Sequence, residues 1–185
     1  MEDYFAAKKR IFMNQSDEDW FVYNMDSEML SASLGEYPAH TLGFSIDNNE
    51  ADAFTANNHI YCAMKAIHYP IISIDKLPIL GIHNIQNVMA SILMVLALHE
   101  KMGTFPDPNK IADAIGSFRG LEHRMEFTAE YMGRTFVNDS KATTIGAVQM
   151  AVLSMKDRGV LIIGGRTKGD DYSRLRDVVK EKARG

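Results

Sequence analysis

Between Leu121 and Asp170, apolar runs twice give way to a cluster of small and charged residues and then to helical spacing. No other feature restricts the architecture as much, because strand–turn–helix repeats of this kind belong to α/β folds. Phe136-Val137 reads as the end of a strand and Asn138-Asp139-Ser140-Lys141 as a polar turn. Residues 146–155 then read as a helix with Val148, Ala151, Val152 and Met155 on one face. In the second unit, residues 160–163 are expected to form a short buried strand, Gly164-Gly165 breaks it, and a helix starts near Tyr172 and runs to about Ala183. Ligands of open α/β sheets sit beyond the carboxyl ends of strands, where helix N-termini offer N–H groups to anions. The loops carrying Arg124, Lys141 and Lys168 are therefore expected to meet at one anionic site. The same Asn, Asp, Ser and Thr residues are also ordinary turn formers and caps, so the pattern alone leaves both readings open.

The 185 residues suffice for one domain or two small ones, and 46% hydrophobic with 24% charged residues is ordinary for a globular chain. A net charge of −4 argues against a nucleic-acid surface built on overall charge. The single cysteine, Cys62, excludes an internal disulfide and reads as a small buried apolar residue in a reducing compartment. No uninterrupted apolar run approaches the roughly 20 residues that span a bilayer. Met-Glu-Asp-Tyr-Phe lacks the character of a signal peptide, so the expected compartment is the cytoplasm, with no membrane partner.

Taken in order, residues 2–12 read as a helix with acidic residues at its start, and residues 20–24 as a strand. A short helix is expected over 27–33, and short strands over 41–46, 53–56 and 58–64, separated by turns such as Asp47-Asn48-Asn49. Residues 70–74 and 78–80 are apolar pieces punctuated by proline, and His40, His59 and His68 have no metal-ligand spacing, so they read as structural. Gly81 opens a long helix to about Lys101, with Asn84 suited to its N-cap and Gly103 to its C-terminal stop. Residues 109–118 read as a further helix, Arg119-Gly120 as a hinge, and residues 125–131 and 134–137 as a hairpin around Met132-Gly133. The domain division expected is therefore 1–119 and 120–185.

Three motifs carry a resemblance. Gly120-Leu121-Glu122-His123-Arg124-Met125-Glu126, Asn138-Asp139-Ser140-Lys141-Ala142-Thr143 and Gly164-Gly165-Arg166-Thr167-Lys168-Gly169-Asp170 follow one another at the order and spacing of the Mur ligase family. They resemble most its D-glutamate-adding branch. The fold implied is α/β: the later part of a central ATPase-type domain over 1–119, followed by the first part of a Rossmann-like C-terminal domain over 120–185. The function implied is ATP-dependent amide formation between UDP-N-acetylmuramoyl-L-alanine and D-glutamate, by way of an acyl phosphate, in peptidoglycan synthesis.

Residue roles follow from the same resemblance. Lys8, in Ala6-Ala7-Lys8-Lys9-Arg10-Ile11-Phe12, matches a lysine that is carbamylated in the family and helps hold Mg²⁺. Asn84 and Asn87, in Gly-x-His-Asn-x-x-Asn, would face the adenine of ATP, since an amide both donates and accepts. Arg124 and Asp139 would contact ribose and phosphates, while Lys141, Thr143 and Lys168 would hold the incoming amino acid and the acyl phosphate. Lys8, Lys141 and Lys168 are the residues the resemblance makes catalytic. Thr144 stands where an asparagine is expected and Thr167 where an aspartate is expected.

No Gly-x-x-Gly-Lys-Thr/Ser run that would cradle phosphates occurs in the 185 residues. The chain is accordingly expected to be a piece of a longer enzyme, inactive alone, and prone to self-association through an open sheet edge. Two alternatives remain: another amide ligase of the superfamily, of the folylpolyglutamate type, or a non-catalytic nucleotide- or partner-binding module.

Overall fold

The computed structural model of the chain describes residues 2–32, 39–64, 67–79, 81–155, 157–166, 169 and 171–183. Helix α1 (Glu2–Lys9) tightens into a 3₁₀ turn, Arg10–Phe12, and the chain then enters strand β1 (Trp20–Asn24). Helix α2 (Glu28–Ser31) is a single turn. Strands β2 (His40–Ser45), β3 (Ala53–Ala56), β4 (His59–Met64) and β5 (Ile67–Ser73) complete a sheet of order β1-β2-β3-β4-β5. The β1–β2 and β2–β3 pairs are parallel, and β3–β4 and β4–β5 are antiparallel. Asn57 and Asn58 make the β3–β4 turn with positive φ at both positions, which asparagine tolerates better than most residues.

Helix α3 (Ile82–Lys101) lies across this sheet. Its spacing brings Val88, Met89, Ile92, Leu93, Leu96 and Ala97 onto one face, against Leu42, Phe44, Ala53, Ile60, Cys62 and Ile72 of the strands. These residues form the main core, and burying each large side chain contributes about 1.5–3 kcal/mol. By length and composition α3 is apolar enough to cross a bilayer. Its sheet-facing stripe supplies part of that composition, and the exposed Ile82, Met94, Val95 and Leu98 supply much of the rest. Helix α4 (Pro108–Ser117) starts with Pro108 at its first position and Asp107 as N-cap, whose carboxylate accepts from Asn109 N at 2.9 Å.

Beyond Gly120, strands β6 (Glu126–Tyr131) and β7 (Arg134–Asn138) form a two-stranded antiparallel hairpin. Helix α5 (Ile145–Leu153) follows, and helix α6 (Arg176–Lys182) continues the 3₁₀ turn Tyr172–Leu175. Ile145, Val152 and Leu175 are the buried residues of this second cluster.

Two expectations are corrected. Residues 160–163 form no strand: Val160 and Ile162 are 76% and 92% exposed. A buried parallel strand needs a neighbour on each side. Here the backbone near these residues makes, among the described residues, only an isolated bridge, Gly159 to Ala183. Helix α3 begins at Ile82 with Gly81 as its N-cap, so Asn84 lies within the first turn. Gly81 sits at φ +99, and a Cβ there would come within 2.8 Å of the His83 ring, so glycine alone suits the position. Ser33 and Leu80, the ends of two expected elements, lie outside the described residues.

Candidate active site

The open end of the β6–β7 hairpin gathers two of the three motifs. The loop before β6 holds Arg124 between two residues with left-handed backbone, His123 (φ +65) and Met125 (φ +45). Such backbone costs free energy in non-glycine residues and persists where the surroundings hold it. Two carboxylates hold it here. Glu126 Oε2 accepts from His123 N at 2.8 Å, and Asp139 Oδ1 accepts from Met125 N at 3.2 Å. Lys141 N donates to His123 O at 3.1 Å, which ties the turn after β7 to the same loop. Asn138 Nδ2 lies 3.3 Å from Glu126 Oε2 and 2.9 Å from His123 Nδ1.

Arg124 and Lys141 are both exposed and are carried by loops bonded to each other. Asp139 reaches the same loop, with one carboxylate oxygen committed to the backbone of Met125. Thr143, also exposed, is placed by the bond from its N–H to Lys141 O at 2.8 Å. Thr144 caps α5, its hydroxyl accepting from Ala147 N at 3.3 Å. Asparagine is an equally good cap, so the departure at this position conserves the local chemistry. Lys168 and Thr167 lie outside the described residues.

The first turn of α3 presents the two asparagines together, with Asn87 Nδ2 donating to Asn84 Oδ1 at 3.4 Å. This turn is held by a residue that the spacing of the sequence did not single out. Asp26, just beyond β1, accepts from Ser45 Oγ at 2.5 Å, Ile46 N at 3.1 Å and Gln86 Nε2 at 3.2 Å. One carboxylate thus joins the carboxyl ends of two parallel strands to the helix that carries Asn84 and Asn87. The only sequence signal was an acidic residue two positions after a strand. His83 leans over Gly81 near Ser154, at the end of α5, so the start of α3 also meets the second cluster.

Lys8 is exposed near the end of α1. No group of three or more His, Cys, Asp and Glu side chains gathers as a metal-ligand set among the described residues. Cys62 is buried, and burial, with a smaller contribution from Asp52, pushes its thiol up to about 12, so it is no nucleophile. Burial also raises the Asp52 carboxyl, against the lowering effect of Gly43 N, which donates to it at 2.7 Å. The three histidines read as structural pack their rings: His40 on Trp20, His59 on Tyr61 and His68 on Phe54.

Comparison with known proteins bears on the family. The family model for the Mur ligase middle domain matches residues 1–95. The UDP-N-acetylmuramoylalanine–D-glutamate ligase of Geotalea daltonii is 34% identical over 190 residues, covering 99% of this chain and 39% of that protein. The enzyme of the same name from Bacteroides fragilis is 34% identical over 185 residues, covering 98% of this chain and 40% of its own length. The chain therefore spans about two fifths of these relatives. Among solved structures, a UDP-N-acetylmuramoyl-L-alanyl-D-glutamate–2,6-diaminopimelate ligase superposes with a TM-score of 0.58 at 22% identity, over 98% of this chain and 38% of that one. The folylpolyglutamate synthetase of Lactobacillus casei gives 0.57 at 12% identity, over 88% of this chain and 40% of that one. These two likenesses concern the fold. With a family model over half its length and relatives at one third identity along nearly all of it, the chain belongs to the Mur ligase family.

Proposed function

We propose that the chain forms part of an ATP-dependent amide ligase that joins D-glutamate to UDP-N-acetylmuramoyl-L-alanine in the cytoplasm, during peptidoglycan synthesis. The reaction passes the γ-phosphoryl group of ATP to the substrate carboxylate. The amine of D-glutamate then displaces phosphate from the acyl phosphate, leaving amide, ADP and phosphate. Such chemistry brings several anions together and needs fixed positive charge around them. The observation that carries the reading is the tie between the Arg124 and Lys141 loops, made by Lys141 N on His123 O and by Asp139 on Met125 N. It holds two cations at one end of the hairpin before any ligand arrives.

In this reading Asn84 and Asn87 receive adenine, and Arg124 with Asp139 receives ribose and phosphate. Lys141, Thr143 and Lys168 receive the amino acid and the acyl phosphate. The units are 1–119 and 120–185, joined at Arg119-Gly120, where Gly120 has φ +81. The described residues gather no cluster of His, Cys, Asp and Glu for magnesium, and a carbamylated Lys8 would supply it one carboxylate ligand.

The 185 residues hold no phosphate-cradling run and are expected to be inactive alone. The test is a chimera in which this chain replaces its matching two fifths of the Bacteroides fragilis ligase. ADP release that requires both UDP-N-acetylmuramoyl-L-alanine and D-glutamate, and that falls at least tenfold with Lys141→Ala, is the expected result. A folded chimera that binds nucleotide but never releases ADP would favour a non-catalytic module. Activity with L-lysine or diaminopimelate in place of D-glutamate would favour another branch of the superfamily.

A further inference from the structure

We propose that Asn138 is a positioning residue that fixes His123 as its Nε2–H tautomer, so that His123 offers an N–H donor beside Arg124 to a phosphate oxygen of the bound nucleotide or acyl phosphate. The choice of ligand rests on the function proposed above; the tautomer does not.

The orientation of one amide decides the tautomer. Asn138 Oδ1 accepts from Ser140 N at 3.1 Å, which leaves Nδ2 to face Glu126 Oε2 at 3.3 Å and His123 Nδ1 at 2.9 Å. An amide nitrogen carries two hydrogens, so it donates to both. Turning the amide over would set Nδ2 against the Ser140 N–H and Oδ1 against a carboxylate oxygen, two repulsive contacts where there are now two bonds. With the amide fixed, His123 Nδ1 must accept. A neutral imidazole that accepts at Nδ1 carries its proton on Nε2.

The competing arrangement puts a proton on Nδ1, aimed at Glu126 Oε2. That pair is 3.5 Å apart, beyond a normal hydrogen bond, and the Nδ1 proton would confront the Asn138 N–H at 2.9 Å. Glu126 is meanwhile satisfied by His123 N at 2.8 Å. No described group takes Nε2, and the side chain is 52% exposed. The left-handed backbone of His123 and the bond from Lys141 N to its carbonyl set this ring at the edge of the same loop pair as Arg124 and Lys141.

The experiment is long-range ¹H–¹⁵N NMR of the histidine rings in the 185-residue chain near neutral pH. The His123 signals are identified by their loss in His123→Asn, a substitution that tolerates the left-handed backbone. The wild type is expected to show a protonated Nε2 and an unprotonated Nδ1 at His123. Asn138→Asp, which supplies acceptors in place of the donor, is expected to move the proton to Nδ1, while Asn138→Ala gives a mixture. A protonated Nδ1 in the wild type, or an unchanged tautomer in Asn138→Asp with its backbone spectrum intact, overturns the proposal. The wild-type measurement decides the matter even if neither variant folds. A ligase reading that fails in the chimera leaves this spectrum as it is, so the two failures are distinguishable.

Discussion

Asp52 is where a single residue sets a measurable pH dependence. Its carboxyl lies above the ordinary 3.8 because burial opposes the charge, although Gly43 N binds it. A folded value above the unfolded one means that the native state holds the proton more tightly. The associated stability is full below the unfolded value and is lost as pH rises through the folded one. The chain is therefore expected to lose stability as pH climbs from about 3.8 through that raised value. Asp52→Asn should remove this part of the slope, and urea denaturation at a series of pH values checks it. A slope equal to the wild type's would show that Asp52 is solvated like an ordinary surface carboxylate. Asp139 also acts on the backbone. The carboxylate read as a nucleotide contact is also a backbone brace, bound to Met125 N. Its removal would move Arg124 as well as delete a contact.

At the scale of elements, Asp26 joins β1, β2 and α3 through three hydrogen bonds. Asp26→Ala is expected to cost about 1–3 kcal/mol, because the Ser45 hydroxyl, buried in the wild type, loses its acceptor. It should also broaden the amide signals of Asn84 and Asn87. A stability within about 0.5 kcal/mol of wild type, with sharp signals, would contradict the clamp. This clamp was not legible in the sequence because it joins residues up to 60 positions apart. What was legible was local. Strand β1 at residues 20–24 and strand β3 at 53–56 were fixed by apolar runs between turn residues, and the hairpin by Met132-Gly133 at its tip. The failure at 160–163 has the opposite cause. An apolar run of four residues fits a strand only when other strands flank it, and sequence periodicity does not report neighbours. The loops of Arg124 and Lys141 are bonded through Lys141 N and His123 O, and the motifs gave no hint that His123, Glu126 and Asn138 form the frame around them.

For the molecule as a whole, the sheet ends at β1 among the described residues. Asp19 O and Met25 N bond to β2, so by alternation Trp20, Val22 and Asn24 direct their backbone groups to the open edge. Gln15 Nε2 covers the Trp20 carbonyl at 3.4 Å, and Ser27 N covers that of Asn24 at 3.3 Å, leaving Val22 between them uncovered by the described residues. The adjoining groove carries Glu18 and Asp19 together with Lys101, charges of both signs that a second copy related by a two-fold axis could satisfy. Sedimentation at increasing concentration is expected to show a mass above one chain, and Val22→Pro to abolish it. A single-chain mass throughout would mean that the edge is adequately covered by its own side chains.

In the proposed function, the loops around Arg124 and Lys141 form one anion site. Titration of the chain with ADP, followed by backbone amide NMR, tests it most directly. Signals from residues 121–126 and 138–144 are expected to shift together and fit a single dissociation constant, and Arg124→Ala and Lys141→Ala are each expected to weaken binding. Separate constants for the two loops, or shifts confined to other parts of the chain, would contradict it.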